Sequence, residues 1–265
     1  MASRAIWKGT LELGRSHIPI KLYAAVKDLT VHFHLLERRR HARVKQRMVS
    51  PDTGKEVPSN EIRKGYEIEP DKFVIVEDDD LDTIQPEPST AIEVPHFLPE
   101  GRIGHQYYER PYYLGPDGDT KSYFALAEAL ARKEREGVAQ WVMRKKEYVG
   151  ALRSREGYLL LITLRHEEEV ISARDLRPPE AKPADVREVK MAEQLVSALE
   201  DEFRAEDYTD QYRDRVLKYI EAKAKGRKPK LEMIQTRRPP KSLADMLAAS
   251  LKSAEALSRK EKAVA

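Results

Sequence analysis

The chain has 265 residues, 40% of them hydrophobic and 35% charged, a balance that fits a folded protein with a highly charged surface. No apolar run reaches the length of a membrane span, so we expect no membrane partner. The chain has no cysteine, which excludes disulfides and thiolate metal sites. Its N-terminus lacks the apolar stretch of a signal peptide, and we therefore expect a cytoplasmic protein.

Alternating apolar residues predict that the first two-thirds of the chain is mainly β. Ile18, Ile20 and Leu22 alternate with residues of the opposite face and predict one strand. The apolar residues of 31–36 alternate in the same way, and this second strand would place His32 and His34 on one side. Further strands are predicted at residues 72–76, 91–97, 106–114, 140–143 and 158–164. Many short strands separated by Gly and Pro turns are typical of a barrel or a sandwich.

A dense basic run follows the predicted strand at 31–36. Residues 37–47 contain six Lys or Arg and one acid, and the turn at Ser50–Gly54 comes next. An acidic cluster, Glu77–Asp82, lies elsewhere. Segregated charges of this kind favour a protein that guides a polyanion to one surface, although a single basic run is as often a solvated loop.

Apolar residues at helical spacing occur once within the β region, and they replace the strand pattern after Pro178-Pro179. Tyr123, Leu126, Ala127 and Leu130 predict one helix, with Asp119 or Thr120 as its cap and Gly137 as its stop. Two longer stripes predict a helical arm that must pack on the barrel or on a second subunit. The first stripe is Val189, Ala192, Val196, Leu199 and Phe203, and the second is Tyr212, Val216 and Ile220.

The end of the chain is strongly basic. From Arg213 onward there are fifteen Lys or Arg against six Asp or Glu. Residues 226–240 read as a basic linker, and a short last helix follows, with Ser242 as its cap. The apolar face of this helix, Leu243, Met246, Leu247 and Leu251, is typical of a docking peptide, although the helix could also fold back on the body of the protein.

The sequence contains no signature of catalysis. There is no phosphate-binding GxxxxGK[ST] loop, no GxGxxG, no HExxH and no GxSxG. His32 and His34 lack an evident third ligand, and the acids of 77–82 and 167–169 are more often solvated faces than magnesium sites. We therefore predict a protein that is not an enzyme and holds no metal or cofactor. A metal-dependent nuclease using the acidic clusters is the least favoured hypothesis.

Unlike catalysis, binding to duplex DNA does not require an exact motif in the protein. Lys and Arg that neutralise phosphates supply affinity without contacting bases. A second basic element lies between the strands predicted at 140–143 and 158–164, and no predicted helix has the character of a major-groove recognition helix. Binding is thus expected to be independent of sequence. The predicted DNA contacts are Arg38, Arg39, Arg40, Arg43, Lys45, Arg47, Arg144, Lys145, Lys146, Lys223, Lys225, Arg227, Lys228 and Lys230.

Seven short motifs follow one another along the chain: Arg4–Gly9, Ile18–Ala25, Val31–Leu36, Lys64–Glu67, Arg110–Leu114, Ala151–Arg153 and Met191–Val196. As an ordered series they resemble the prokaryotic Ku family of DNA-end-binding proteins. The resemblance implies a mainly β fold with α-helices: a Ku-like barrel core over 1–180 with a DNA-encircling bridge at about 37–66, a helical arm over 181–225, and a basic linker and flexible tail over 226–265.

The resemblance also implies a function. Ku homodimers thread a double-stranded DNA end through a preformed ring in non-homologous end joining, and they recruit the ATP-dependent DNA ligase called ligase D. The arm would reach the second subunit, the tail helix would bind the ligase, and the protein would be associated with the nucleoid. A nonspecific architectural DNA-binding protein is the alternative, because the basic tail alone would suffice for it.

The chain departs from the family at one position of the bridge. Many members carry a CxxC pair where this chain has Ser50 and Thr53. A bridge stabilised by zinc or sensitive to redox conditions is therefore not available here. The DNA or the second subunit would have to supply the missing constraint.

Overall fold

The computed structural model describes residues 4–177 and 185–227. Residues 4–29 and 33–176 form one compact unit, and residues 30–32, 177 and 185–227 belong to a second. The strands are β1 Trp7–Leu13, β2 Ser16–Ala24, β3 Lys64–Glu69, β4 Lys72–Val76, β5 Ala91–Pro99, β6 Tyr108–Pro116, β7 Arg135–Met143, β8 Lys146–Arg155 and β9 Tyr158–Leu164. The helices are α1 Asp78–Thr83, α2 Thr120–Lys133, α3 Val186–Ala198 and α4 Gln211–Ala224.

Seven of the strands form a closed barrel, in the order β1-β2-β6-β9-β8-β7-β5. The parallel pairing of β1 with β5 closes it, and every other pair of neighbours is antiparallel. Closure leaves no unpaired edge strand in the barrel. The predicted β-barrel is confirmed, and the strand predicted at 158–164 has the predicted bounds.

The alternation that predicted the strands also builds the core. Ile18, Ile20 and Leu22 of β2 are buried, as are Leu159 and Leu161 of β9. Successive side chains of a strand point to opposite faces, so every second residue enters the barrel. The prediction missed β1, β3 and β8. In β8 the small residues Gly150 and Ala151 hide the alternation, because both are buried beside Leu152.

Helix α2 packs on the barrel through Tyr123, Ala127 and Leu130, which are all buried. Asp119 is its cap and accepts a hydrogen bond from the Ser122 backbone N–H at 3.0 Å. The Tyr123 hydroxyl donates to the Leu114 carbonyl and accepts from the Leu159 N–H, so it joins β6 to β9. Burial raises the pKa of this hydroxyl.

The predicted stop of this helix at Gly137 was wrong. The helix ends at Lys133, and Glu134 adopts a left-handed conformation with φ of 51°. Gly137 instead lies in β7, where a Cβ atom would approach Val94 to 2.6 Å and Phe97 to 2.9 Å. The glycine therefore permits close packing between β5 and β7 rather than a turn.

The segment between β2 and β5, residues 25–90, differs from the barrel because none of its residues is buried. It contains the antiparallel β3–β4 hairpin and α1. The strand predicted at 31–36 was wrong: Phe33 is 71% and Leu35 67% exposed, and the only ladder pairing there is the isolated bridge from Leu36 to Arg43. The alternating pattern has no core to pack against.

The second unit contributes α3 and α4. Asp185 and Glu188 form a capping box at the start of α3, but the helix ends at Ala198, so its predicted extension to Phe203 was wrong. The Leu199 N–H closes the last turn, and Phe203 lies beyond it, stacked on Tyr208 with 5.4 Å between ring centroids. No helix of the described residues is long and apolar enough to cross a membrane.

Helix α4 contains the predicted stripe of Tyr212, Val216 and Ile220. Asp210 caps it by accepting from the Arg213 N–H at 2.9 Å. At its other end Gly226, with φ of 69°, forms a Schellman motif, because the Arg227 N–H reaches the Ala222 carbonyl at 2.9 Å. The predicted tail helix and the basic residues from 228 onward lie outside the described residues.

Candidate nucleic-acid interface

The first basic cluster lies on a tight loop of the segment between β2 and β5. The Glu37 N–H donates to the Ala42 carbonyl at 2.8 Å and the His41 N–H to the Glu37 carbonyl at 2.9 Å, so Arg38–Arg40 form the loop tip. All six predicted DNA-binding residues of this cluster are exposed. Within the part of the chain that the structure describes, only Arg47 pairs with an acid, Glu56 at 2.6 Å. The other five charges face solvent, which suits binding to phosphates.

The turn that follows this loop is ordered without cysteines. The Ser50 N–H donates to the Lys55 carbonyl and the Gly54 N–H to the Ser50 carbonyl, both at 2.9 Å. A bridge between Val49 and Glu56 continues this pairing. Gly54 has φ of 65°, a conformation that glycine adopts without steric cost. Backbone hydrogen bonds and the Arg47–Glu56 pair thus hold the turn where Ser50 and Thr53 replace the expected pair.

The second basic cluster is the turn between β7 and β8. Met143 pairs with Lys146, so Arg144 and Lys145 form a two-residue hairpin loop, with φ of 53° and 65°. Arg144 and Lys145 lie between two strands, as predicted, but Lys146 is the first residue of the second strand, which is β8 rather than β9. Lys146 lies 5.5 Å from the centre of the Tyr148 ring, which stacks on Trp141.

The third basic cluster is at the end of α4. Lys223 lies in the last helical turn, where a cation interacts favourably with the helix dipole, and its ammonium is 5.5 Å from the Tyr219 ring centre. Lys225 pairs with Glu221 at 3.7 Å. Arg227 is exposed just beyond the helix. Lys228 and Lys230, the remaining members, lie outside the described residues.

The acidic cluster at 77–82 is engaged with cations. Glu77, the cap residue of α1, pairs with Arg63 at 3.1 Å. Two acids of the helix itself pair with lysines, Asp78 with Lys64 at 2.7 Å and Asp82 with Lys145 at 2.9 Å. Glu169, from the second acidic run, accepts from the His166 N–H at 2.8 Å. Over residues 4–177 and 185–227 there is no group of three or more side chains able to hold a metal ion.

Sequence reasoning missed a buried charged cluster on the barrel. Glu136 is fully buried in β7 and forms an ion pair with Arg153 of the adjacent strand. The Tyr108 hydroxyl donates to Glu136 at 2.9 Å. Burial and the hydrogen bond to Glu136 raise the pKa of Tyr108 to about 12. The cluster joins β6, β7 and β8, and its only signal in the sequence was the Ala151–Arg153 motif.

A smaller cluster of charges joins β1, β2 and the end of β6. Asp117 pairs with Lys21 at 2.5 Å and with Lys8 at 3.2 Å. The hydrogen bonds from the two lysines lower the pKa of Asp117, and the bond to Asp117 raises the pKa of Lys21. The cations of this part of the barrel are thus neutralised within the protein.

Comparison with known proteins agrees with the barrel. Residues 12–192 match the family model described as the Ku70/Ku80 beta-barrel domain. The chain is 36% identical over 228 residues to the non-homologous end joining protein Ku 2 of Geotalea uraniireducens, covering 86% of this chain and 89% of the relative. It is 36% identical over 230 residues to the Ku protein of Coxiella burnetii, covering 85% and 84%. The Ku protein of Archaeoglobus fulgidus is 34% identical over 253 residues, covering 94% and 99%.

Proposed function

The chain belongs to the Ku family, and from this premise we propose that it binds double-stranded DNA ends, independently of sequence, in the non-homologous end joining of double-strand breaks. One observation carries the proposal. Arg38, Arg39, Arg40, Arg43 and Lys45 are exposed on one loop without an acidic partner among the described residues. Cations held in this way neutralise phosphates, whose spacing does not depend on base sequence.

The decisive experiment compares DNA with and without ends. An end-labelled duplex bound to the protein is challenged with a closed circular plasmid and with the same plasmid cut once. A ring that loads at ends should release the label to the cut plasmid far more readily than to the circle. Equal competition by the two forms would favour the architectural alternative.

We propose further that two copies form the ring. Apolar side chains of α3, of α4 and of the segment between them are left in solvent: Val196 is 71%, Leu199 59%, Phe203 80% and Tyr212 71% exposed. Val189, Val216 and Ile220 line the same helices. Apolar surface of this extent favours burial against a partner. Light scattering over a wide dilution range should give twice the chain mass, and a stable monomer at micromolar concentration would contradict this.

The third part of the proposal is recruitment of an ATP-dependent DNA ligase, ligase D, by the tail. Its support is the stripe of Leu243, Met246, Leu247 and Leu251, since a short helix of this kind becomes ordered on a partner's groove. Leu247→Asp with Leu251→Asp should abolish stimulation of ligation while end binding is unchanged. Ligation equal to that of the unaltered protein would place the ligase-binding site elsewhere.

The protein is proposed to act by binding alone, without catalysis, metal or cofactor. Its role is then to hold DNA ends for an enzyme that joins them. Incubation with a labelled duplex and magnesium should leave the duplex intact. Cleavage that copurifies with the protein and disappears with Asp78→Asn would favour the nuclease hypothesis instead.

A further inference from the structure

The short helix α1 connects two basic parts of the first unit. At its start, the cap residue Glu77 pairs with Arg63, and Asp78 pairs with Lys64, the first residue of β3. Through Asp82, at the other end of the helix, it pairs with Lys145 of the β7–β8 turn. The hydrogen bonds from Lys145 and Gln85 lower the pKa of Asp82, so the carboxylate stays ionised.

The β7–β8 turn has an unusual conformation for its sequence. A two-residue hairpin loop with positive φ at both positions normally contains Asn and Gly, because other residues are strained there. Here both positions are cationic, Arg144 and Lys145. Strain at such a position is an indication of function. The turn therefore presents two charges on a rigid support, and Asp82 neutralises one of them.

The Asp82–Lys145 ion pair is accessible to an anion. The two side chains are 59% and 65% exposed, and they lie at a cleft of about 680 Å³ that Trp7 and Met143 also line. A lysine ammonium is a compact charge on a flexible stem, so it exchanges one oxygen partner for another with little rearrangement. A phosphate oxygen can take the place of the Asp82 carboxylate.

We propose that Asp82 is an internal competitor of DNA phosphate for Lys145, and that α1 thereby limits the affinity of the protein for DNA. The inference rests on the proposed function, because it requires that DNA reaches the β7–β8 turn. In the absence of DNA, Asp82 holds Lys145. When DNA binds, a phosphate replaces the carboxylate, and the cost of breaking the ion pair is subtracted from the binding free energy.

Two matched variants separate this competition from a general effect of charge. Asp82→Asn removes the partner of Lys145, whereas Asp79→Asn removes the same charge from the same helix. The Asp79 carboxylate makes no hydrogen bond or ion pair with any residue that the structure describes. Both variants are repeated with Lys145→Gln, which gives a double-mutant cycle. Affinity for an end-labelled duplex is measured at low salt, and thermal melting confirms that each variant is folded.

Asp82→Asn should tighten binding by about two- to fivefold, the range that an exposed ion pair allows, and by clearly more than Asp79→Asn. The additional gain should disappear in the Lys145→Gln background. Equal effects of the two substitutions, or a gain that persists without Lys145, would overturn the inference and leave the proposed function intact. Failure of the unaltered protein to bind duplex ends would remove the proposed function itself.

Discussion

Apolar and basic residues have opposite environments in the barrel and in the segment inserted into it, residues 25–90. In the barrel the apolar side chains are buried and several of the cations are paired, as Lys8 and Lys21 are with Asp117. In the insertion no residue is buried, and five basic side chains of one loop have no acidic partner among the described residues. The barrel therefore supplies the buried apolar core of the unit, and the insertion carries the unpaired basic side chains that we propose as DNA contacts.

The largest expected effect is on the free energy of unfolding, which we expect to depend on the barrel far more than on the insertion. Leu161→Ala, at a fully buried position of β9, should lower the free energy of unfolding by about 2–5 kcal/mol. Leu35→Ala removes the same atoms from the insertion, where the side chain is 67% exposed, and should cost less than about 0.5 kcal/mol. Chemical denaturation measures both. A comparable loss for Leu35→Ala would show that the insertion has a packing partner of its own.

The next effect concerns charge in the insertion. Replacing Arg38, Arg39 and Arg40 with Glu should weaken binding to all duplexes alike and reduce the slope of log affinity against log salt by about 0.9 for each phosphate that is no longer neutralised. The matched control replaces three exposed cations of α2 with Glu, and its slope should change little. These cations are Lys121, Arg132 and Lys133. A preference among duplexes of equal length would contradict a mechanism based on the DNA backbone.

A smaller effect concerns the buried cluster of the barrel. The pKa of Tyr108 is raised to about 12, whereas an unfolded tyrosine titrates near 10. Between these values the unfolded state loses a proton that the folded state retains, so stability should fall as the pH rises from about 10 to 12. The loss is expected to be at most about 2 kcal/mol. Tyr108→Phe should remove this part of the alkaline destabilisation, and an unchanged profile would contradict the assignment.

The smallest effect tests the strained turn of the barrel. Arg144→Asn with Lys145→Gly places the preferred residues in a loop with two positive φ values, and it should raise the free energy of unfolding by about 1 kcal/mol. The same change should weaken DNA binding if this turn contacts phosphate. If the variant gains stability and keeps its affinity for DNA, Arg144 and Lys145 do not contact DNA, and the DNA-binding residues lie in the insertion and the arm.

The barrel could be predicted from the sequence, because a buried face leaves a period of two in a strand. This period of two is visible in the sequences of β2 and β9, whose alternate residues are buried. The signal was absent where small residues replaced large ones, as in β8, and it was misleading at 31–36, where an alternating pattern lies on an exposed segment. Alternating apolar residues indicate a strand only where one face of the segment packs on a hydrophobic core. The local sequence does not show which segments lie beside the core.

The basic clusters were visible in the sequence, but their partners were not. Arg47–Glu56 and Lys145–Asp82 join residues that the fold brings together, the second across a long stretch of chain. Glu136 was missed for the same reason, since an isolated acid at the start of a strand has no pattern until Arg153 lies beside it. Charge patterning thus identifies candidate binding residues, whereas the fold decides which of them are already neutralised.

The parallel pairing of β1 with β5 has a consequence for how the barrel folds and how it varies. Residues 14–90 separate the two strands along the chain, so closure of the barrel depends on a long-range contact, whereas the β1–β2 hairpin depends on a local one. The entropy of closing such a loop grows slowly, by only about 0.6 kcal/mol for each doubling of its length. The insertion can therefore lengthen or shorten at little entropic cost to the barrel, so the stability of the barrel places only a weak limit on the length of this segment.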